Sequence, residues 1–278
     1  MIVCRICGAE SERRPRWNGL QFVQCPTCGV LFLDPQPSDE ELSERYDLYY
    51  YPSRDSARRP SVYSNTPRAV TDQIVRCLHY HVLHQVSAGS VLDYGCGVGD
   101  FMATAARFGL NPIGIEFNYE ARKEARARGL VVHETLEELI GCEPTRRFDL
   151  IALLDVVEHV RDPRALLRQL RELLSRKGAV YLSAPNRLAL KAVLLGNRWE
   201  EANNPTHLYL YSPSSIKRLL AEAGYVFRWL PCRIGDPART PLRRAASHMA
   251  QRLRINSTLR VVARSHSRPD MSSGATPR

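Results

Sequence analysis

No apolar run in these 278 residues approaches the roughly 18–20 residues that a bilayer-spanning helix needs. The opening Met1-Ile2-Val3-Cys4-Arg5 lacks the hydrophobic stretch of a secretory signal. A cytoplasmic setting, where thiols stay reduced, is therefore expected. Apolar residues as a class are not lacking: at 44% they exclude wholesale disorder and suffice for one large α/β domain with a small appendage. Excess charge is missing from most of the chain. The net charge is +10, but residues 232–278 hold ten Arg against two Asp, so the body before them is nearly neutral. That distribution argues against a general nucleic-acid binder.

The cysteines divide into two groups. Cys77, Cys96, Cys142 and Cys232 are scattered singly and read as small hydrophobes. Cys4-x2-Cys7 and Cys25-x2-Cys28, with seventeen residues between the pairs, form a four-cysteine zinc pattern. Two residues between cysteines let a tight turn present both sulfurs to one ion, and Gly8 and Gly29 relax the backbone after each pair. Asn18-Gly19 between Arg16-Trp17 and Leu20–Val23 is a hairpin signal, so the segment reads as a zinc ribbon. Four thiolates leave no open position, so the zinc is expected to be structural. So small a segment buries little core, and the metal would supply its folding energy.

Past the ribbon, Leu33-Asp34-Pro35-Gln36-Pro37 is extended by its prolines, and Ser38 can cap a helix through Tyr46. Tyr46, Tyr49, Tyr50 and Tyr51 follow, as packing residues or as part of a substrate pocket, and residues 52–66 read as a polar loop. From about Pro67 helix and strand alternate. A helix over 67–86 carries Ile74, Leu78, Val82 and Val86 on one stripe. Strands are predicted at 90–93, 112–116, 130–132, 148–154, 179–183 and 225–230, with a helix between each neighbouring pair except the third and fourth, the one after Asp162-Pro163 ending at Gly178. This alternation implies a doubly wound, Rossmann-like parallel sheet with ligands beyond the carboxyl ends of its strands. Leu259–Arg264 is β-rich and fits an antiparallel last strand; residues 240–254 read as a basic helix.

The glycine loop narrows the ligand. The run is Asp93-x-Gly95-x-Gly97-x-Gly99, with Asp100 where a dinucleotide fingerprint wants its last glycine. An acid at the strand end opposes a pyrophosphate but suits the ammonium of S-adenosylmethionine, directly or through water. Gly95, Cys96 and Gly97 let the backbone approach the nucleoside. Glu116, ending the second strand, is placed to accept both ribose hydroxyls. Leu153, near the end of the fourth strand, completes the expected cofactor-binding set.

Val91-Leu92-Asp93-Tyr94-Gly95-Cys96-Gly97-Val98-Gly99 resembles motif I of class I S-adenosylmethionine-dependent methyltransferases. Phe148-Asp149 through Val156-Val157-Glu158-His159-Val160 resembles their fourth-strand motif in small-molecule enzymes, including the ubiquinone-pathway O-methyltransferases. His207–Ser212 and Glu222–Tyr225 resemble a later segment of one broad subfamily, and the ribbon resembles that fused to nucleotide-sugar C-methyltransferases. The resemblance implies a zinc ribbon over 1–35, a connector over 36–66 and a class I methyltransferase domain over 67–264. A lid at about 187–211 and a disordered basic tail at 265–278 complete that organisation. The implied acceptor is a small molecule such as a sugar, a glycan precursor or a secondary metabolite, methylated on O or C. A zinc-ribbon RNA methyltransferase is the alternative, set against the near-neutral body and the Glu158-His159 motif.

Methyl transfer from a sulfonium releases a neutral leaving group, so the enzyme mainly aligns the reactants and excludes water. A hydroxyl acceptor also needs a base. His207, between the fifth strand and the next helix, is the first candidate, with Trp199 in the lid; His159, beside Glu158, is the second. An unperturbed imidazole titrates near pH 6.5. Asp155, Glu158 and His159 stand at i, i+3 and i+4, so one helical turn can bring them to one side. The resemblance to ubiquinone-pathway enzymes implies a divalent cation there. Asn186, after the fifth strand, either touches substrate or terminates the strand.

Overall fold

The structure, a computed structural model, describes residues 2–11, 22–50, 68–78, 89–230 and 256–266. The Asn18-Gly19 hairpin, Tyr51, the 52–66 loop, Val82 and Val86, Cys232, the 240–254 helix and the tail beyond residue 266 lie outside them. No helix among the described residues is long and apolar enough to cross a membrane.

In chain order the strands and α-helices are β1 (Ile2–Val3), β2 (Glu10–Ser11), β3 (Phe22–Gln24), β4 (Leu31–Leu33), α1 (Asp39–Tyr50), α2 (Arg68–Leu78), β5 (Ser90–Tyr94), α3 (Asp100–Arg107), β6 (Asn111–Ile115), α4 (Tyr119–Ala127), β7 (Val132–His133), α5 (Leu136–Cys142), β8 (Phe148–Leu154), α6 (Pro163–Glu172), β9 (Leu174–Pro185), α7 (Leu190–Leu195), β10 (Tyr209–Leu210), α8 (Pro213–Glu222), β11 (Tyr225–Trp229) and β12 (Thr258–Ser265). Seven strands form one sheet in the order β11-β12-β9-β8-β5-β6-β7. Strands β7, β6, β5, β8 and β9 run parallel, and β12 lies antiparallel between β9 and β11. The strand read at Leu259–Arg264 is therefore present and integral to the sheet. Chain order reverses at β5, so the carboxyl ends of β5 and β8 open the crevice where such sheets bind ligands.

Local chemistry sets the element ends. Asn118, Thr135 and Asp162 each accept a backbone N–H of the first turn of α4, α5 and α6. Ser38 and Glu41 exchange hydrogen bonds at the start of α1, a capping box, and the helix runs to Tyr50, beyond the expected Tyr46. Helix α6 ends at Glu172 and not at Gly178, which lies within β9; the chain leaves the helix early because Leu174 already pairs with Phe148 of β8. Of the scattered cysteines, Cys96 is a free buried thiol, Cys142 is exposed, and Cys77 is disulfide-bonded. Isolated positions in a sequence carry no sign of distant pairing, so the reading of Cys77 as a lone hydrophobe fails.

The N-terminal segment folds against the sheet's carboxyl-end face. Strand β4 pairs with β3 on one side and with β10 on the other, matching Phe32 with Tyr209 and Leu31 with Leu210. Its apolar residues Ile6, Val30 and Phe32 join the same buried cluster as Leu208, Tyr211 and Ile216 of the larger unit.

Candidate active site and thiolate centre

The two Cys-x2-Cys turns are built alike. Gly8 and Gly29, at φ +75° and +74°, donate to Cys4 and Cys25 carbonyls at 2.8 and 3.0 Å, so each turn closes where only a residue tolerant of positive φ fits. The turns meet with Cys4 Sγ 3.8 Å from Cys28 Sγ and Cys7 Sγ 3.5 Å from Cys25 Sγ. All four sulfurs lie within 4.8 Å of one another. Zinc–sulfur bonds of about 2.3 Å in a tetrahedron set sulfurs about 3.8 Å apart, so the donor set and its spacing fit that ion.

The second site is a cavity of about 1310 Å³ at the carboxyl ends of β5, β6 and β8. Its cofactor half is bounded by Tyr94, Gly95, Ile115, Glu116 and Thr135. Gly95 has φ +78°, and a Cβ there would stand 2.8 Å from Val156 Cγ2. The loop therefore needs glycine for both conformation and space. Glu116 is buried and receives backbone N–H bonds from Gly97 at 2.8 Å and Asn118 at 2.9 Å, which hold its carboxylate at the loop. Burial pushes its pKa up, and these backbone bonds partly offset that rise. Asp93 is also buried, one Oδ1 without a partner among the described residues. Burial, then repulsion from Glu116, pushes its carboxyl up to about 8. It stands behind the lining formed by Tyr94 and Gly95, a position suited to contact through water. Cys96 packs with Met102, Ala125 and Val132, away from the lining, and Gly97 contributes its N–H to Glu116. Leu153 is fully buried in the sheet and does not reach the cavity; its neighbour Leu154 does. The alternation of side chains along β8 makes that one-residue difference.

The other half, here called the acceptor half because the acceptor is expected there, is bounded by Tyr46, Tyr49, Asp155, Glu158, His159, Trp199, Glu201 and His207. Residues 155–159 do not form the expected helical turn. Asp155 sits at φ +53°, and its Oδ1 accepts from the Ser183 hydroxyl of β9 at 3.0 Å. Asp155 stays on the cavity lining and its charge adds to burial in raising the Glu158 pKa, but it is not among the clustered ligand atoms. The third donor beside Glu158 and His159 is His207: one ligand atom each from Glu158, His159 and His207 lie within 4.8 Å of one another. The His159 and His207 rings tilt together with centroids 4.7 Å apart. His159 Nδ1 stands 3.0 Å from Thr206 O and His207 Nδ1 stands 2.8 Å from Glu201 O. A carbonyl only accepts, so both Nδ1 atoms carry the proton and both Nε2 atoms present a lone pair. The Asn204 amide meets His207 Nε2 at 3.2 Å. Burial drives the His159 pKa down to about 4 and that of His207 well below its ordinary value. Glu158 is buried, neither carboxylate oxygen has a partner among the described residues, and burial raises its pKa well above the usual range. Glu201, whose carboxylate approaches His207 Nε2 at 3.8 Å, is pushed up to about 7 by burial, then by Asp155 and Glu200. Sequence reasoning missed Glu201, because a short 3₁₀ turn in an irregular lid gives no periodic signal. Trp199 is buried and lines the cavity. Asn186 is structural: its backbone and side chain bond Ser257 O, Asn256 O and the Leu188 N–H.

This sheet order, with its antiparallel strand inside one edge and its glycine loop after the switch-point strand, is the Rossmann-like fold of class I S-adenosylmethionine-dependent methyltransferases. The chain belongs to the methyltransferase-domain family, whose model matches residues 63–228. It is 34% identical over 115 residues to a ubiquinone biosynthesis O-methyltransferase of Actinobacillus pleuropneumoniae, covering 38% of this chain and 49% of that protein. The corresponding enzyme of Xanthomonas oryzae pv. oryzae is 33% identical over 108 residues, 37% of this chain and 45% of its own. The chain thus spans about half the length of these curated relatives. Among solved structures, the plantazolicin methyltransferase BamL, in complex with a desmethyl substrate analogue and S-adenosylhomocysteine (SAH), superposes with a TM-score of 0.54. The two are 18% identical, and the match covers 84% of this chain and 92% of that one. That likeness concerns the fold.

Proposed function

We propose that the protein transfers a methyl group from S-adenosylmethionine to a hydroxyl of a small-molecule acceptor. The carrying observation is one cavity with two chemically distinct halves. The first is lined by Gly95 of the glycine loop and a buried ribose-binding candidate in Glu116, with Asp93, an ammonium-binding candidate, buried behind that lining. The second holds two neutral imidazoles and an unpartnered carboxyl group. The named O-methyltransferase relatives support oxygen as the nucleophile. In this reading Glu116 and Asp93 orient the cofactor, Trp199 and Tyr46 exclude water, and His207 Nε2 exchanges its bond from the Asn204 amide for the acceptor proton, with His159 second in line. Asp155 positions the turn through Ser183 and does not touch the reacting atoms. The deciding experiment is a screen of hydroxylated acceptors with labelled cofactor, comparing wild type with His207→Asn at saturating cofactor. A wild type that binds SAH yet methylates nothing in a broad acceptor set counts against the reading.

A second reading is favoured by the Glu158, His159 and His207 donors. Neutral imidazoles oriented by backbone carbonyls, next to a carboxyl group, suit a divalent cation with open positions toward the cavity. Such an ion would polarise the acceptor oxygen when bound. Activity that chelation removes and a divalent ion restores would favour it over the base.

At the N-terminus we assign a structural zinc to Cys4, Cys7, Cys25 and Cys28, and read residues 1–35 as a ribbon, 36–66 as a connector and 67–264 as the methyltransferase domain with its lid at 187–211. Four clustered sulfurs on two matching turns support the zinc.

A further inference from the structure

The ribbon and the acceptor half share one strand. Leu33 N–H donates to Leu208 O at 2.9 Å, next to His207. Leu208 and Tyr209 N–H groups donate to Glu158 O at 2.7 and 3.1 Å, so one stretch joins β4 to two of the three clustered side chains. The Tyr209 hydroxyl donates to Arg161 O at 2.8 Å and accepts from Gln36 Nε2 at 3.2 Å. On the other side, Ser214 Oγ donates to Cys28 O at 3.1 Å and Arg187 Nε to Gly29 O at 2.9 Å, tying the second cysteine turn to the residues that flank β10. Among the described residues, Gly95, Gly97 and Glu116 have no hydrogen bond to residues 2–33.

We propose that the ribbon is the positioning element of the acceptor half: its thiolate site and the His207 segment are coupled through β4. The cofactor half has no direct hydrogen bond to residues 2–33 among the described residues and is touched from this side through α1, whose Asp47 accepts from Asn118. This rests on the zinc assignment above. Without the metal the two cysteine turns lose what holds them together, β4 loses its anchor, and β10 loses the one strand partner it has among the described residues. His207 then loses the fixed Glu201 carbonyl that sets its tautomer. Coupling of this kind is reciprocal, so a looser His207 segment must also loosen the metal.

The test uses the full-length protein. Elemental analysis comes first, and a wild type without zinc overturns the zinc assignment and this proposal together. With zinc present, Cys25→Ser is compared with wild type by amide hydrogen exchange, by NMR of the His207 ring and by SAH calorimetry. The expected result is at least tenfold faster exchange at Leu33 and Leu208, a shifted or broadened His207 signal, and an SAH affinity within twofold. An unchanged His207 ring and Leu208 amide in the metal-depleted variant overturns the coupling and leaves the zinc assignment standing. If Cys25→Ser does not fold, the double variant Arg187→Met with Ser214→Ala decides. It keeps every thiolate but cuts both ties to the cysteine turn. It should surrender zinc to a competing chelator several-fold faster and loosen Leu208; wild-type behaviour in both readouts overturns the proposal.

Discussion

His159 and His207 face each other with ring centroids 4.7 Å apart, each fixed in the same tautomer by a backbone carbonyl of the lid. Two imidazoles held neutral and close give this half of the cavity uncharged ring nitrogens. Burial disfavours a cation on either ring and lowers both pKa values, and His159 adds to the lowering of His207.

A pH–rate profile follows from that pair. The neutral imidazole is the active form and its folded pKa is depressed, so the active form is lost only as pH falls through the lowered value. The single-turnover rate of wild type should stay level between about pH 6 and 8, and the acid limb should lie below the ordinary histidine value of about 6.5. His207→Asn should lower the rate by about 10²–10⁴ with SAH affinity retained. A near-wild-type rate in this variant removes His207 from the chemistry and moves the test to His159.

Glu116→Gln addresses the cofactor. Hydrogen bonds to a charged group are worth about 1.5–3 kcal/mol, so SAH should bind about ten- to a hundredfold more weakly by calorimetry. The same change disturbs the Gly97 and Asn118 N–H contacts. Circular dichroism and thermal melting should therefore confirm that the fold is kept. Unaltered affinity would break the ribose assignment.

Asp93 gives a proton count. Its carboxyl is pushed up to about 8, so it is mostly protonated at pH 7 in the free protein. A ligand ammonium favours the carboxylate, so binding lowers this pKa and releases a proton. Calorimetry of SAH at pH 7, in buffers of different ionisation enthalpy, should show release of up to about one proton in wild type and none from this site in Asp93→Asn. Equal release in both proteins would show that Asp93 does not answer the ammonium. In the absence of ligand the sign is opposite for stability. The folded form binds more protons than the unfolded one, so this group's contribution falls as pH rises from its unfolded value toward 8.

Gly95→Ala tests the loop itself. A left-handed L-residue costs roughly 1–2 kcal/mol, and the new Cβ would press on Val156. A lowered melting temperature together with weakened SAH binding is expected. A neutral substitution would mean that the loop readily adopts another shape.

Much of this was legible in the sequence because it rests on local, repeated signals. The alternation of apolar strands with capped helices located every parallel strand, and the cysteine spacing and the Asp93 loop marked, in adjacent residues, the sulfur cluster and the glycine turn at the cavity. What escaped was non-local. Two-residue strands such as β10 carry no period, so its pairing with β4 was invisible. The i, i+3, i+4 argument for Asp155 assumed a helix, but the Ser183 hydroxyl holds that residue at positive φ. His207 replaces it beside Glu158 and His159 from a segment far along the chain. Leu153 was one residue off, because strand alternation sends Leu153 inward and Leu154 to the cavity.

Strand β12 fills a gap between two strands made before it. During synthesis β9 and β11 therefore leave the ribosome with unpaired edges facing a slot one strand wide. Each edge is a template for another chain until residues 258–265 arrive. Production of this protein should accordingly tolerate fusions placed after Ser265 far better than any truncation before Thr258, which would leave two adhesive edges and a soluble yield limited by aggregation.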